Sequence, residues 1–286
     1  MKLTPNGIPV LELDEIGSTN AEAMRLGLAG AATPLWVRAD RQSSGRGRSG
    51  REWTSAPGNH YASLLTRLTC PPTMLHQLSF VAAIATVAAL RRVIAEAVPE
   101  GHGDHGSRAC LQGRGELDRR GPPAVGALSE RLRIKWPNDI LIDGAKLVGI
   151  LPESTILPDT SVLAVIGIGI NIAHAPEGLG RATTSLAALG VSISPQAMLD
   201  ALAVEMGRAL LLWGNGAAFT AIRDLWQADA LPLGTAMSVH TGRDKIDGTF
   251  AGLDLDGALI LRDHSGYDRR MTFGDVTVNA AESGRG

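Results

Sequence analysis

The chain has 286 residues, 44% of them hydrophobic, which is enough for one large domain with a substantial core and a smaller second one. Its 27 Lys and Arg residues against 29 Asp and Glu residues give a formal net charge of −2, so it lacks the basic excess of a general nucleic-acid binder. Two cysteines are too few for a disulfide scaffold or a cysteine-based zinc site and predict a reduced, cytoplasmic setting. The N-terminus has no signal-peptide pattern, and the longest apolar run, FVAAIATVAAL, is too short to span a membrane.

The first third of the chain predicts strands alternating with helices. A helical pattern covers 18–29, where Thr19 and Glu22 have the spacing of a capping box. A longer helical pattern covers 73–98, and its apolar middle predicts that most of it is buried. Strand patterns lie between and before them, at 10–16, 34–39 and 60–68.

Residues 99–130 interrupt this pattern, because they are rich in Gly and charge and poor in large apolar side chains. This composition predicts a surface insertion that is a candidate for disorder. His102 and His105 within it offer a metal-binding alternative, but composition favours a solvated loop.

The second half predicts a sheet, two helices and then a small β module. The run 161–173 is almost continuously apolar, which predicts a strand buried on both faces. After Leu231, short strand-like runs separated by DG and SG turns predict an all-β unit. We therefore expect an α/β domain at 1–230 and a small β domain at 231–286. The remaining elements are a strand at 131–136 and helices at 195–213 and 217–228.

The pair Asp143-Gly144 stands between apolar runs and predicts a two-residue hairpin. In that register Leu141 opposes Lys146, and Asp139 lies on the same face as Lys146, as a diagonal pair about 7–8 Å apart at Cβ. A lysine and a carboxylate so arranged could hold a phosphate and its metal ion. The alternative interpretations are a weak exposed salt bridge, or another register that sends the lysine to the opposite face.

The segment GRGRSGREWTSAPGN at 45–59 carries three arginines on a backbone with four glycines. It is not a Walker loop or a dinucleotide-binding fingerprint, because it lacks their spacing and the helix that should follow. Arginine forks bind phosphate or carboxylate in a bidentate manner, so the segment indicates an anion-binding loop.

Three further stretches carry polar residues in suggestive patterns: Ser18-Thr19-Asn20 with Gln42, KWPND at 135–139 with Lys146, and GIGIN at 167–171. Each also has an ordinary structural interpretation, such as a helix cap, a turn, a surface lysine or close packing at glycine.

Taken together, STN, GRGRSGREW, GNHYASLL, KWPNDILIDGAKLVGIL and GIGIN occur in an order that resembles the bacterial biotin protein ligases, from about residue 10 to the end. The resemblance implies the mixed sheet and helices that these enzymes share with class II aminoacyl-tRNA synthetases, followed by a small SH3-like β-barrel. It also implies two steps. ATP and biotin give biotinyl-5′-AMP, which then modifies a lysine of the biotin carboxyl carrier protein of acetyl-CoA carboxylase.

The same resemblance assigns roles to individual residues. Arg48 and Lys146 would be catalytic, contacting the biotin carboxylate and the phosphates, and Asp139 would bind Mg²⁺. The biotin site would comprise Ser18, Thr19, Asn20, Gln42, Arg46, Gly47, Arg48 and Lys146. The ATP site would comprise Arg48, Arg51, Trp53, Lys135, Asn138, Asp139 and Asn171.

Two other functions compete with this one. A lipoate or octanoate ligase is disfavoured by the joint presence of GRGR and KWPND, and a non-catalytic sensor is disfavoured by Arg48, Asp139 and Lys146. Because STN begins at residue 18, we expect no N-terminal DNA-binding domain. The expected partner is the carrier protein, with no nucleic acid and no membrane, and the chain is expected to be a monomer or a homodimer.

Overall fold

The structure is a computed structural model that describes residues 2–97 and 128–279. Two β-sheets organise these residues, one of eight strands and one of five. The large sheet runs in the order β1-β2-β3-β4-β8-β7-β6-β5. Its strands are β1 Lys2–Leu3, β2 Pro9–Ile16, β3 Leu35–Gln42, β4 His60–Leu68, β5 Leu132–Lys135, β6 Asp139–Ile142, β7 Ala145–Ile156 and β8 Val162–Ile170.

Four helices pack against the large sheet or against each other. They are α1 Thr19–Leu28, α2 Leu78–Ala97, α3 Pro195–Trp213 and α4 Phe219–Ala228. Helix α1 packs on β3, β4 and β8, whereas α2 and α3 contact each other and strands β4, β6 and β7. The first residues of the helix predicted at 73–98 instead belong to a 3₁₀ helix, Pro72–Gln77, so α2 begins five residues later than its pattern suggests.

Strand β8 lies in the middle of the large sheet and is buried on both faces, as its apolar run predicts. Its neighbours β4 and β7 are both antiparallel to it, so the two-sided burial does not come from a parallel sheet. Leu163 and Val165 face α1, and Ile166, Ile168 and Ile170 join the core that contains α2 and α3. Strands β2 and β3 pair in parallel, which makes the sheet mixed.

The small sheet follows α4, as the short strand-like runs and turns after Leu231 predict. Its strand order is β12-β11-β10-β9-β13. Its antiparallel strands are β9 Ala236–His240, β10 Lys245–Leu253, β11 Leu259–Arg262, β12 Asp268–Met271 and β13 Asp275–Val278. Trp136 Nε1 donates to Gly257 O at 3.0 Å, which ties the small sheet to the turn between β5 and β6.

The predicted insertion at 99–130 lies almost entirely outside the described residues, except for 128–130. Leu128 is 1% exposed and belongs to the main hydrophobic core, so the insertion cannot extend to residue 130 as the composition suggests. A single apolar leucine at the end of a polar run gives too weak a composition signal to mark this boundary.

Among the described residues, the helical stretch Pro72–Ala97 is long and apolar enough to cross a membrane by length and composition. However, 72% of its apolar window is buried inside the protein, which is the behaviour of a core helix.

Candidate active site

A cavity opens on the face of the large sheet that carries α1, lined by residues from the strands, the N-terminus of α1 and the Gly/Arg loop. Alternation along the strands places one row of residues beneath it. Cross-strand pairing aligns Tyr61 of β4, Gly169 of β8, Gly149 of β7 and Asp139 of β6 in this row. The next row on the same face, two residues further along each strand, aligns Ser63, Gly167 and Leu151.

The N-terminus of α1 supplies a cluster of hydrogen-bonding groups at one end of the cavity. Gln42 Oε1 accepts from the backbone N–H of Thr19 at 2.8 Å and from its hydroxyl at 3.1 Å. Ser63 Oγ lies 2.8 Å from Thr19 Oγ1 and 2.6 Å from Asn20 Oδ1, so its single proton links one of these two acceptors. The amide of Asn20 donates to Leu151 O at 3.0 Å and to the carboxylate of Glu153 at 2.6 Å.

These bonds correct the predicted helix cap. Helix α1 is capped by Ser18, whose hydroxyl accepts from the Ala21 N–H at 3.4 Å, and not by Thr19. The hydroxyl of Thr19 is held by Gln42 and Ser63, while Glu22 pairs with Arg25 on the helix surface. The predicted capping box therefore does not form.

The floor of the cavity is flat because three of its residues are glycines. A Cβ atom at Gly149 would lie 2.6 Å from the Trp53 ring, and one at Gly169 would lie 2.7 Å from it. A Cβ atom at Gly167 would lie 2.1 Å from Asn20 Oδ1. The glycines of GIGIN thus let the indole of Trp53 and the amide of Asn20 lie directly on the strands.

The hairpin brings Asp139 and Lys146 together at the other end of the cavity. Its turn residues Asp143 and Gly144 both have positive φ, and Leu141 opposes Lys146 as predicted. A bulge then shifts the register between Ile140 and Leu141. Lys146 Nζ lies 2.5 Å from Asp139 Oδ1, so the predicted diagonal pair is a direct ion pair.

The lysine is buried rather than a surface hairpin residue, with 9% exposure. Lys135 Nζ lies 2.9 Å from the second oxygen of Asp139, so one carboxylate serves two ammonium groups. Burial alone raises the pKa of Asp139, but attraction to Lys146 and Lys135 outweighs it and lowers this pKa to about 2. The pKa of Lys146 is lowered by burial, against the opposing attraction of Asp139. The cluster is therefore a fixed, ionised group, held on three strands.

The Gly/Arg loop covers this end of the cavity. A backbone bridge joins Arg46 to Glu52, and Gly47 N–H donates to Arg51 O at 2.7 Å, so the loop folds back on itself. Arg48 Nη1 donates to Asn138 Oδ1 at 3.4 Å, and its Nη2 donates to a carbonyl of the small sheet.

Trp53 ends the loop and lies on the sheet beside Lys146 and Tyr61. Its ring centroid lies 5.3 Å from Lys146 Nζ, a cation–π distance. Tyr61, on the same face of the sheet, donates its hydroxyl to Ala56 O at 2.9 Å and so anchors the chain just after Trp53. The C-terminal end of the glycine-rich loop is therefore held against the sheet.

The cavity is electropositive in a chain whose net charge is −2. Six basic side chains line it against three acidic ones, which suits the binding of anions. The basic residues are Arg46, Arg48, Arg51, Lys135, Lys146 and Arg181, and the acidic residues are Glu52, Asp139 and Asp275.

The structure brings every predicted site residue to this cavity except Asn171. Asn171 is 1% exposed, and its amide donates to Thr184 O at 3.0 Å and to Lys146 O at 3.4 Å. Asn171 does not line the cavity, and its predicted place beside the nucleotide stays a prediction. It fastens the backbone of Lys146 to the segment after β8.

Sequence reasoning missed several residues that line the cavity, notably Tyr61, Arg181, Asp275 and Val276. Tyr61 had a usable signal, because it shares the alternating face of β4 with Ser63. Arg181 and Asp275 had none, since each lies in a polar stretch far along the chain from the loop it faces.

The described residues do not form a metal cage. Residues 2–97 and 128–279 contain no cluster of three His, Cys, Asp or Glu side chains that could hold a metal ion. Both oxygens of Asp139, the predicted metal ligand, are paired with lysines. The structure thus makes Asp139 the counter-ion of Lys135 and Lys146.

Comparison with known proteins agrees with this geometry. The family model described as the biotin/lipoate A/B protein ligase family matches residues 14–171. The chain is 37% identical over 260 residues to a biotin–[acetyl-CoA-carboxylase] ligase of Paracoccus denitrificans, covering 87% of this chain and 92% of that protein. It is 31% identical over 265 residues to the bifunctional ligase/repressor BirA of Bacillus subtilis, covering 90% of this chain and 70% of that protein.

Among solved structures, the fold is similar to that of the biotin protein ligase from Aquifex aeolicus in complex with biotin and ATP. The TM-score is 0.69 at 23% identity, covering 96% of this chain and 99% of that one. The matched span of the family model runs from β2 through the GIGIN strand and contains the loop, the hairpin and the α1 cluster. The chain belongs to the biotin/lipoate A/B protein ligase family.

Proposed function

We propose that the protein is an ATP-dependent ligase that converts biotin to biotinyl-5′-AMP and transfers the biotinyl group to a specific lysine of a biotin carboxyl carrier protein. The observation that carries this proposal is the single cavity in which a hydrogen-bonding end and a cationic end share one glycine floor. Biotin has the matching halves, a polar ureido ring at one end and a carboxylate at the other. The 37% identity to an enzyme named as such a ligase supports the same substrates.

In the proposed complex, biotin lies along the floor. Ser18, Thr19, Asn20 and Gln42 would bond the ureido ring, and Trp53 would lie along the apolar part of the molecule. The carboxylate would then point toward Lys146 and Arg48. This orientation places the reactive group at the electropositive end and the neutral ring at the other.

The first step is an in-line displacement. A carboxylate oxygen of biotin attacks the α-phosphorus of ATP, a new P–O bond forms, and the bond to pyrophosphate breaks. Lys146 stabilises the charge that builds on the α-phosphoryl oxygens, because burial has already desolvated it and Asp139 holds it in place. Arg48, Arg51 and Lys135 neutralise the remaining phosphate charge, and Asn138 lies beside Arg48.

The second step is aminolysis of the mixed anhydride. The neutral amine of the carrier lysine attacks the biotinyl carbonyl, AMP leaves with the bonding electron pair, and the amine loses its proton. Until the carrier arrives, the loop that contains Arg46, Gly47 and Arg48 must keep water from the anhydride. The contacts of the loop with Asn138 and the small sheet support such a covering role.

Three finer assignments accompany this proposal. We assign catalysis to residues 1–230 and the supporting β domain to 231–286. Mg²⁺ would enter bound to the phosphates of ATP rather than to Asp139, whose two oxygens are paired with lysines. A cytoplasmic location fits the low cysteine count and the carboxylase substrate.

The test is to incubate the protein with biotin, MgATP and an isolated biotin carboxyl carrier domain. Mass spectrometry should detect one biotinyl group on one lysine of the carrier. Isotope exchange between ATP and pyrophosphate should require biotin and should not be supported by lipoate or octanoate. Exchange with lipoate instead would identify a lipoate ligase, and absence of exchange with either acid would identify a non-catalytic binder.

A further inference from the structure

Three basic side chains of the cavity end on one short segment of the small sheet, residues 274–276, which we call the β13 corner. Arg51 pairs with the only charged side chain of this corner, and the other two bond to its backbone carbonyls. The contacts are Arg51 to the carboxylate of Asp275, Arg48 Nη2 to Gly274 O at 3.1 Å, and Lys135 Nζ to Val276 O at 2.9 Å.

The β13 corner is itself held firmly. Asp275 and Val276 pair with His240 and Val239 of β9. Gly274 has φ of +140°, and a Cβ atom there would lie 2.6 Å from Val239 Cγ1. The corner is therefore a fixed object, set by strand pairing and by a conformation that favours glycine.

The loop side of these contacts is held less firmly. Arg51 has a side chain that is 53% exposed, and it lies on the glycine-rich loop between the bridge residues Arg46 and Glu52. Asp275 is 26% exposed and lines the cavity, so this ion pair lies at the rim of the site rather than in bulk solvent. A fixed carboxylate thus holds a loop arginine at the mouth of the cavity.

We propose that Asp275 is a positioning residue for the reaction: it anchors Arg51, and through it the Gly/Arg loop, over the cavity while the biotinyl adenylate is inside. This inference rests on the proposed function. Asp275 does not touch the reacting atoms and acts through Arg51. It slows the escape of the intermediate and leaves the fixed lysine cluster to accelerate adenylation.

The carboxylate of Asp275 could also weaken ATP binding, because a negative charge in an anion-binding cavity repels phosphates. The two effects predict different kinetics. An anchor lowers the rate at which the adenylate dissociates, whereas a competing anion raises the KM for ATP.

The experiment is a double-mutant cycle of Asp275→Asn, Arg51→Gln and the double variant, each tested for adenylate dissociation after single turnover. Bystander labelling of albumin is measured in parallel. Asp275→Asn should raise the dissociation rate about fivefold, the upper range for a partly exposed ion pair. Arg51→Gln should raise it at least as much, and the double variant should match Arg51→Gln alone, because Asp275 has no further effect once Arg51 is gone.

The matched control is Asp268→Asn, which removes an ion pair with Arg262 in the same small sheet without touching the cavity. It should dissociate the adenylate at the wild-type rate, and melting temperatures should be similar for both single Asp variants. An unchanged dissociation rate in Asp275→Asn would overturn the anchor. Additive effects in the double variant would also overturn the anchor. A lower KM for ATP with unchanged retention in Asp275→Asn would overturn it too, and would identify Asp275 as a competing anion. If wild-type protein makes no biotinyl adenylate, the proposed function fails instead, and the two failures are distinguishable.

Discussion

The cavity draws its positive charge from two regions that are built differently. Lys135 and Lys146 extend from strands and share the buried Asp139, so their ammonium groups have fixed positions. Arg46, Arg48 and Arg51 extend from a glycine-rich loop, and Arg51 is half exposed. Preorganised charge lowers an electrostatic barrier without reorganising during the reaction, whereas charge on a loop can arrive and leave with the ligand. The lysine cluster therefore suits the chemical step, and the arginine loop suits retention.

Lys146→Ala should have the largest effect of the proposed variants, because it removes a charge from the fixed region, the cluster of Lys135, Asp139 and Lys146. Loss of one positioned charge donor should slow biotin-dependent adenylation about 10²–10³-fold. Stability should fall by less than the about 3–5 kcal/mol typical of a broken buried pair, because Lys135 still neutralises Asp139. Exchange kinetics and urea unfolding would measure the two effects separately.

Lys245→Ala is the matched control for that experiment. Lys245 also pairs with an aspartate, Asp247, but this pair is exposed and lies in the small sheet. The control should keep wild-type exchange. If Lys146→Ala exchanges nearly as fast as wild type, the fixed region is not the source of rate acceleration.

The boundary between the two regions runs through Trp53, which ends the loop and lies on Gly149 and Gly169. Gly169→Ala should destabilise the protein by about 1–3 kcal/mol, since the new methyl group overlaps the indole. In a Trp53→Leu background the same substitution should cost much less, because the ring is gone. Equal costs in both backgrounds, measured by urea unfolding, would show that Trp53 does not lie on the floor and that the loop has no rigid end.

Features that depend on neighbouring residues were predictable from the sequence, and features that depend on distant strands were not. The turn at Asp143-Gly144 fixes the adjacent register, so the pairing of Lys146 with Leu141 and its proximity to Asp139 were predictable. The bulge between Ile140 and Leu141 was not, because it depends on how β6 meets β7 and the Asn138 amide. The choice of Ser18 over Thr19 as the cap was equally inaccessible, since Gln42 and Ser63 compete for the Thr19 hydroxyl from distant strands.

Contacts across large sequence distances account for the remaining differences. Asn171 ends a motif that resembles a nucleotide site, yet its bonds to Thr184 and to the Lys146 backbone bury it. Asp275 reaches the cavity only because the small sheet packs beside the turn that contains Trp136. Neither arrangement leaves a periodic or motif signal, because each depends on the packing of separate elements.

Acid should affect the scaffold before it affects the lysine cluster. Asp139 has a pKa of about 2 in the fold, below its ordinary 3.8, so its contribution to stability persists above pH 4 and is lost as the pH falls toward 2. His60 acts in the same direction but at higher pH. Burial, with a smaller contribution from Arg38, lowers its pKa from 6.5 to about 4, against a backbone bond to Pro195. The unfolded chain then binds a proton that the folded chain does not.

The free energy of unfolding should therefore fall by about 2 kcal/mol between pH 8 and pH 5 on account of His60. His60→Leu should remove that part of the fall, with little change at pH 8, because the bond from His60 Nδ1 to Pro195 O is long at 3.4 Å and Nε2 has no hydrogen-bond partner among the described residues. Urea unfolding at the two pH values measures it. Parallel curves for both proteins would mean that His60 does not resist protonation and that the acid-sensitive point lies elsewhere.

Arg48→Gly tests the loop region with the smallest expected effect on chemistry. The variant loses the bonds from Arg48 to Asn138 and Gly274 and gains backbone freedom, so the closed loop should be less populated. Biotinyl adenylate should dissociate about tenfold faster, which corresponds to about 1.4 kcal/mol for the two hydrogen bonds together, or about 0.7 kcal/mol for each. Adenylation should be slowed far less than in Lys146→Ala, because the fixed cluster is intact.

Released adenylate reacts with exposed amines, so labelling of albumin should rise in proportion to the dissociation rate. A useful comparison is Arg41→Gly, which removes an exposed arginine near the start of the same segment, paired with Glu15 and outside the cavity lining. That variant should retain the adenylate normally. If Arg48→Gly retains it equally well but adenylates as slowly as Lys146→Ala, the loop arginine belongs with the fixed charges. Retention would then depend on Arg46, Arg51 or the loop backbone.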